Sequence, residues 1–173
     1  MLQSTDPEYL RDINPYDLST YTTQAFDNLT KMQPKFSNKS FTKNKRILLA
    51  GDSFAQDFLN MVMATGSLRD YEIRGHYVRV YCQIYMGPED RLQWIAPHHR
   101  KLCININDIK FGLPLIRQAN IIILAGRWLE WSAVRLPRTI ELLNLTQNQR
   151  LFVIGPKNFG KVSSKWYVNK TLQ

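Results

Sequence analysis

A serine hydroxyl attacks an acyl carbon only where a base takes its proton and hydrogen-bond donors await the oxyanion, so its surroundings decide whether it can react. Ser53 has a suitable setting. The apolar run Ile47, Leu48, Leu49 and Ala50 is broken by Gly51 and Asp52, and then Phe54, Ala55, Phe58, Leu59, Val62 and Met63 follow as pairs four apart. That pattern predicts a buried strand, a tight turn and an amphipathic helix ending near Gly66. A serine at such a turn is exposed at the sheet edge, where the helix presents unpaired N–H groups. Gly51 permits the turn, and Asp52 can hold it through hydrogen bonds to nearby backbone. The competing role for Ser53 is a helix N-cap, which requires no chemistry. The tripeptide is short enough to arise by chance, so its placement carries the weight.

The remaining elements supply a sheet around that turn. A second strand is drawn through residues 72 to 81, and a short helix from Leu113 to Gln118 leads into Ile121, Ile122, Ile123, Leu124 and Ala125. Pro137 suits the first turn of a helix carrying Ile140, Leu142, Leu143 and Leu145, and Leu151 to Ile154 form a fourth strand. Strands alternating with helices specify a parallel, doubly wound α/β sheet. Ligands bind such sheets at the carboxyl ends of the strands, which singles out Gly51-Asp52-Ser53 and Gly126-Arg127-Trp128.

Other residues admit more than one reading. Cys82 and Cys103 can close a disulfide worth about 3 kcal/mol, or remain as two thiols. With His98 and His99 they include the ligand types of tetrahedral zinc, although the spacing matches no familiar finger or ribbon and we assign no metal site. His76 falls in a strand, and all three histidines read as ordinary polar residues. Trp94 and Trp131 read as core, whereas Trp128, beside Arg127 at a strand end, is placed for substrate contact. Arg127 can pair with a carboxylate or phosphate of a ligand, or brace its loop.

The chain of 173 residues carries a net charge of +9, which favours polyanions, membrane headgroups or acidic polysaccharide without naming one. The basic residues Lys35, Lys39, Lys43, Lys45 and Arg46 precede the first strand and read as a solvated flank. Residues 1–45 form a polar leader with one helix, whose stripe is Tyr21, Ala25, Phe26, Leu29 and Met32. Residues 46–173 form the domain. No apolar run reaches the length of a membrane span, and residues 1–10 lack the pattern of a signal peptide. A nucleic-acid role has only charge behind it, and no recognition motif.

The segment from Ile47 to Ala55 resembles the first block of the SGNH, or GDSL, hydrolase superfamily. More narrowly, the chain from about Arg46 to Gly160 resembles the SGNH domain of membrane acyltransferases that O-acetylate O-antigen and related surface glycans. The paired cysteines after the second strand, Ala119 to Trp128, and Val153-Ile154-Gly155-Pro156 carry that likeness. The resemblance implies a flavodoxin-like three-layer fold and a Ser53 acyl-enzyme that passes an acetyl group from an acylated donor to a sugar hydroxyl or to water. Asp52, Gly126, Arg127 and Trp128 are then candidates for oxyanion or substrate contact, and no cofactor is called for. A membrane acyltransferase domain would be the partner.

The chain departs from the family in three ways. Arg127 and Trp128 stand where general members place an oxyanion asparagine. Gly75 and Gly87 are poor candidates for the second-block glycine. No Asp-x-x-His block follows Pro156, which leads us to expect a fragment of an exported, periplasmic protein lacking its last strand and helix. If the chain is complete as given, the expectation is a cytoplasmic protein, and the alternative is a non-catalytic module that binds an anionic glycan or a membrane acyltransferase partner.

Overall fold

In the computed structural model, the described residues are 23, 26–27, 29–30, 35–37, 45–104 and 108–155. They form an α/β fold around a four-stranded parallel sheet. The strands are β1 (Arg46–Gly51), β2 (Glu72–Tyr77), β3 (Ile121–Ala125) and β4 (Arg150–Ile154), in the spatial order β2-β1-β3-β4. The helices are α1 (Ser53–Thr65), α2 (Pro97–Arg100), α3 (Leu113–Ile116), α4 (Glu130–Val134) and α5 (Leu136–Leu142).

The continuous apolar runs became the two central strands because only strands covered on both faces can bury every side chain. Leu48, Ala50, Ile122 and Leu124 join one core cluster with the residues around the cysteines. Ile47, Leu49, Ile123 and Ala125 face the other way and pack with Ala55 and Leu59 of α1 and with Leu29. Each fully buried leucine or isoleucine contributes about 1.5–3 kcal/mol, so these strands are the best-anchored part of the sheet. The edges differ. The residues of β2 are all half-buried, and β4 leaves Phe152 and Val153, on opposite faces, exposed.

The local expectations meet several adjustments. The second strand stops at Tyr77, four residues short of the prediction, and the chain turns through Val80, Tyr81 and Cys82. The segment between the cysteines is not a plain loop, since it holds a 3₁₀ turn at Arg91–Trp94 followed by α2. Pro137 lies in the first turn of α5 as expected, Leu143 and Leu145 fall beyond its end, and the short α4 precedes it where no helix was expected. α1 ends where foreseen, with Gly66 in the left-handed conformation and its N–H bonded to the Met63 carbonyl.

In the leader, the described residues Thr23, Phe26, Asp27, Leu29 and Thr30 are helical, and Leu29 is buried, while Tyr21, Ala25 and Met32 lie outside the described residues. Phe26 meets Tyr77 edge to face at 5.3 Å. Of the basic flank, Lys45 is paired with Asp70 at 3.6 Å, and Lys39 and Lys43 lie outside the described residues.

Candidate active site

The turn after β1 is set by how closely β1 approaches β3. Gly51 has φ +153°, and a Cβ built there would stand 1.7 Å from the Ala125 carbonyl oxygen, so no other residue fits without moving the backbone. The Asp52 N–H then donates to that same carbonyl at 3.3 Å. Two central strands are therefore pinned together at their carboxyl ends, just before the chain enters α1.

The helix N-cap is Asp52, not Ser53. Its carboxylate accepts from the Phe54 N–H at 3.0 Å through one oxygen and from the Arg127 N–H at 2.9 Å through the other. The group is almost wholly buried. Burial pushes its pKa above the ordinary 3.8, and the N–H donors of Phe54 and Arg127 oppose that rise. One carboxylate thus caps α1 and fastens the loop after β3, where Gly126 lies against it with space for a Cβ no closer than 3.4 Å.

With Asp52 in the cap, Ser53 is released from that duty. It is the first residue of the 13-residue α1, exposed, and its Oγ hydrogen-bonds to no other described residue. Its N–H has no acceptor within the helix, because the first N–H groups of a helix never do. The positive end of the helix dipole lies at the same point.

The second loop is held by a residue that sequence reasoning passed over. Gln83 is buried with φ +55°. Its amide nitrogen donates to the Arg127 carbonyl at 2.9 Å and to the Val80 carbonyl, and its amide oxygen accepts from the Leu129 N–H at 2.9 Å and from the Ser132 hydroxyl. Both ends of the amide are used, so the segment after β2 is bolted to the segment after β3. Gln83 is itself fixed through its neighbour, since Cys82 and Cys103 form a disulfide with Cα atoms 5.0 Å apart. The buried Arg91 guanidinium braces this clasp, donating to the Cys82 and Cys103 carbonyls and pairing with Asp108 at 3.3 Å. The only sequence signal was adjacency to Cys82.

Trp128 is half-buried and stands at the strand ends. Its indole N–H donates to the Ile154 carbonyl at 3.0 Å, which also accepts from the Gly126 N–H at 3.2 Å, and its ring packs on the core cluster around the disulfide. Arg127 differs. Its backbone is tied at both ends, while its side chain is exposed and forms no ion pair with a described residue. Between the ends of β1 and β3 and the segment after β2 lies a crevice of about 10 Å³, room for roughly one water.

The histidines stand elsewhere. His76 bonds the Asp108 carbonyl at 2.9 Å, and burial lowers its pKa against the opposing pull of Asp108. It pairs with Ala50 in register, on the sheet face opposite α1. His99 stacks on Tyr81 at 3.7 Å, with His98 tilted against it at 4.0 Å. The zinc alternative loses its thiolates to the disulfide, and among the described residues no group of histidine, cysteine and carboxylate side chains is arranged to hold a metal. Trp94 and Trp131 stack at 5.2 Å, with the Arg135 guanidinium 4.0 Å from the Trp94 ring centre.

Comparison with protein-family models, with curated proteins and with solved structures yields no match. Among the described residues, no helix is long and apolar enough to cross a membrane.

Proposed function

We propose that this chain carries SGNH-type acyl-ester chemistry, in which Ser53 takes up an acetyl group and passes it to a surface-glycan hydroxyl or to water. One observation carries this reading: Asp52 does the capping, which leaves Ser53 unbonded and exposed at the first turn of α1, beside the point where the strand order reverses. Attack by Oγ on an acyl carbon would place the developing oxyanion near the free N–H groups of that turn, and expulsion of the donor alcohol would leave the acyl-enzyme. The strand order β2-β1-β3-β4 is compatible with the flavodoxin-like arrangement of the SGNH fold. A closed disulfide suits an oxidising, periplasmic location.

No histidine or carboxylate among the described residues hydrogen-bonds to Ser53, and the three histidines of the sequence, His76, His98 and His99, are all described residues. The same observation favours the alternative of a non-catalytic module that binds an anionic glycan or a membrane acyltransferase domain. Hydrolysis of 4-nitrophenyl acetate, with peptide mass analysis of the trapped enzyme, separates the two. The expected result is acetylated Ser53, with the acetyl label and the turnover that depends on it both lost on Ser53→Ala. Turnover unchanged in that variant rejects the nucleophile, and no turnover by the unsubstituted chain favours the module.

A further inference from the structure

The described arginines fall into two groups. Arg46 and Arg74 are paired with Glu72, Arg91 with Asp108, and Arg138 with Glu141, while Arg135 lies over Trp94 and Arg100 bonds the Ile95 carbonyl. Arg69, Arg79, Arg117, Arg127 and Arg150 form no ion pair or side-chain hydrogen bond with a described residue and all are exposed; Arg79 and Arg127 also line the switch-point crevice.

The topology separates them further. Arg69 and Arg117 precede β2 and β3, and Arg150 opens β4, which puts all three at the amino edge of the parallel sheet. Arg79 follows β2 and Arg127 follows β3, so both stand at the carboxyl edge, where such sheets bind ligands. Their backbones are fixed. The Arg79 carbonyl accepts from the Cys82 and Gln83 N–H groups at 2.8 and 3.2 Å, and Arg127 is held at its N–H by Asp52 and at its carbonyl by Gln83. Among the described lining residues Asp52 is the one carboxylate; it is buried and already accepts two N–H bonds, and the Arg127 charge acts on it without an ion pair forming. Two guanidiniums on rigid supports, neither in an ion pair or side-chain hydrogen bond with a described residue and both near a helix N-terminus, make a place for an anion. The crevice has room only for about one water, so a ligand lies across its mouth.

We propose that Arg79 and Arg127 together bind the carboxylate or phosphate of an anionic glycan lying across this crevice, so that the acceptor is chosen by charge. This rests on the reading of Ser53 as the acyl-transferring group only in calling the glycan an acceptor. Binding itself needs no catalysis.

Titration calorimetry of the whole chain with tetragalacturonic acid, its methyl ester and a phosphorylated maltotetraose tests it. The expected result is that an anionic sugar binds and the methyl ester does not. Arg79→Gln and Arg127→Gln should each weaken binding by about tenfold, and Arg79→Lys by less, since it keeps the charge and loses the planar fork. Arg150→Gln, at the opposite edge, should bind as the parent does. Preference for the uronate or for the phosphorylated sugar assigns the anion. Equal binding of acid and methyl ester, or unchanged affinity in both glutamine variants, overturns the proposal. Ser53-dependent turnover of neutral 4-nitrophenyl acetate without discrimination by charge would sink this inference alone, whereas discrimination without turnover would sink the acyl-transfer reading alone.

Discussion

The ends of β1 and β3 lie side by side, yet only the first has a local interaction, the Asp52 cap on Phe54, among those that hold it. At the end of β1 a contact with β3 dictates Gly51, while the helix cap is short in sequence, Asp52 accepting from Phe54 two residues on, so the Ser53 side chain is placed without a bond to any described residue. At the end of β3 nearly every backbone group is tied to a distant residue, with Gly126 held by Ile154, Arg127 by Asp52 and Gln83, and Leu129 again by Gln83. The first end presents one unengaged polar side chain on a rigid support. The second is a frame whose side chain Arg127 alone reaches solvent freely. Asp52 belongs to both, and through it a change at either end reaches the other.

The comparison is most severely tested at the contact between the two strands. Gly51→Ala forces a Cβ against the Ala125 carbonyl and should cost at least about 4 kcal/mol or prevent folding, read from urea denaturation. A mild effect would mean that the strand ends are not pinned together. Gln83→Ala comes next, because it leaves the Arg127 and Val80 carbonyls and the Leu129 N–H without this partner, at a cost of about 3 kcal/mol. Amide hydrogen exchange should quicken at Leu129 and not in β1. Equal quickening at both would dissolve the distinction between a local and a distant fixing.

The smallest effect is one of slope. Because burial holds the Asp52 pKa above its unfolded value, the folded state favours the protonated form. The stability this contributes is fully present below the unfolded value of 3.8 and is lost as pH rises through the folded pKa. Compared with Asp52→Asn at each pH, the parent should therefore lose stability as the carboxylate range is crossed upward. A difference that grows in the parent's favour instead would show that the two N–H bonds outweigh desolvation.

Much of the scaffold was legible. Runs such as Ile47 to Ala50 and Ile121 to Ala125 can be buried only in strands covered on both faces, and the paired apolar positions of α1 allow one packing face. β2 was overextended because Val78, Val80 and Tyr81 continue an apolar pattern, whereas the chain turns there to bring Cys82 to Cys103. The place of Trp128 at a strand end was legible, and it lines the crevice there, whereas the Ile154 carbonyl that takes its N–H was not.

The sequence by itself determined that a serine would stand at a strand-to-helix turn at the carboxyl edge of a parallel sheet, because strand, turn and helix are each specified by neighbours a few residues apart. Tertiary structure decided that Asp52 caps the helix, that Gln83 binds the loop after β3, and that Arg79 and Arg127 are the uncommitted arginines at the crevice. Those outcomes depend on hydrogen bonds and charge pairings between residues tens of positions apart, and such pairings leave no period in the chain from which they can be read.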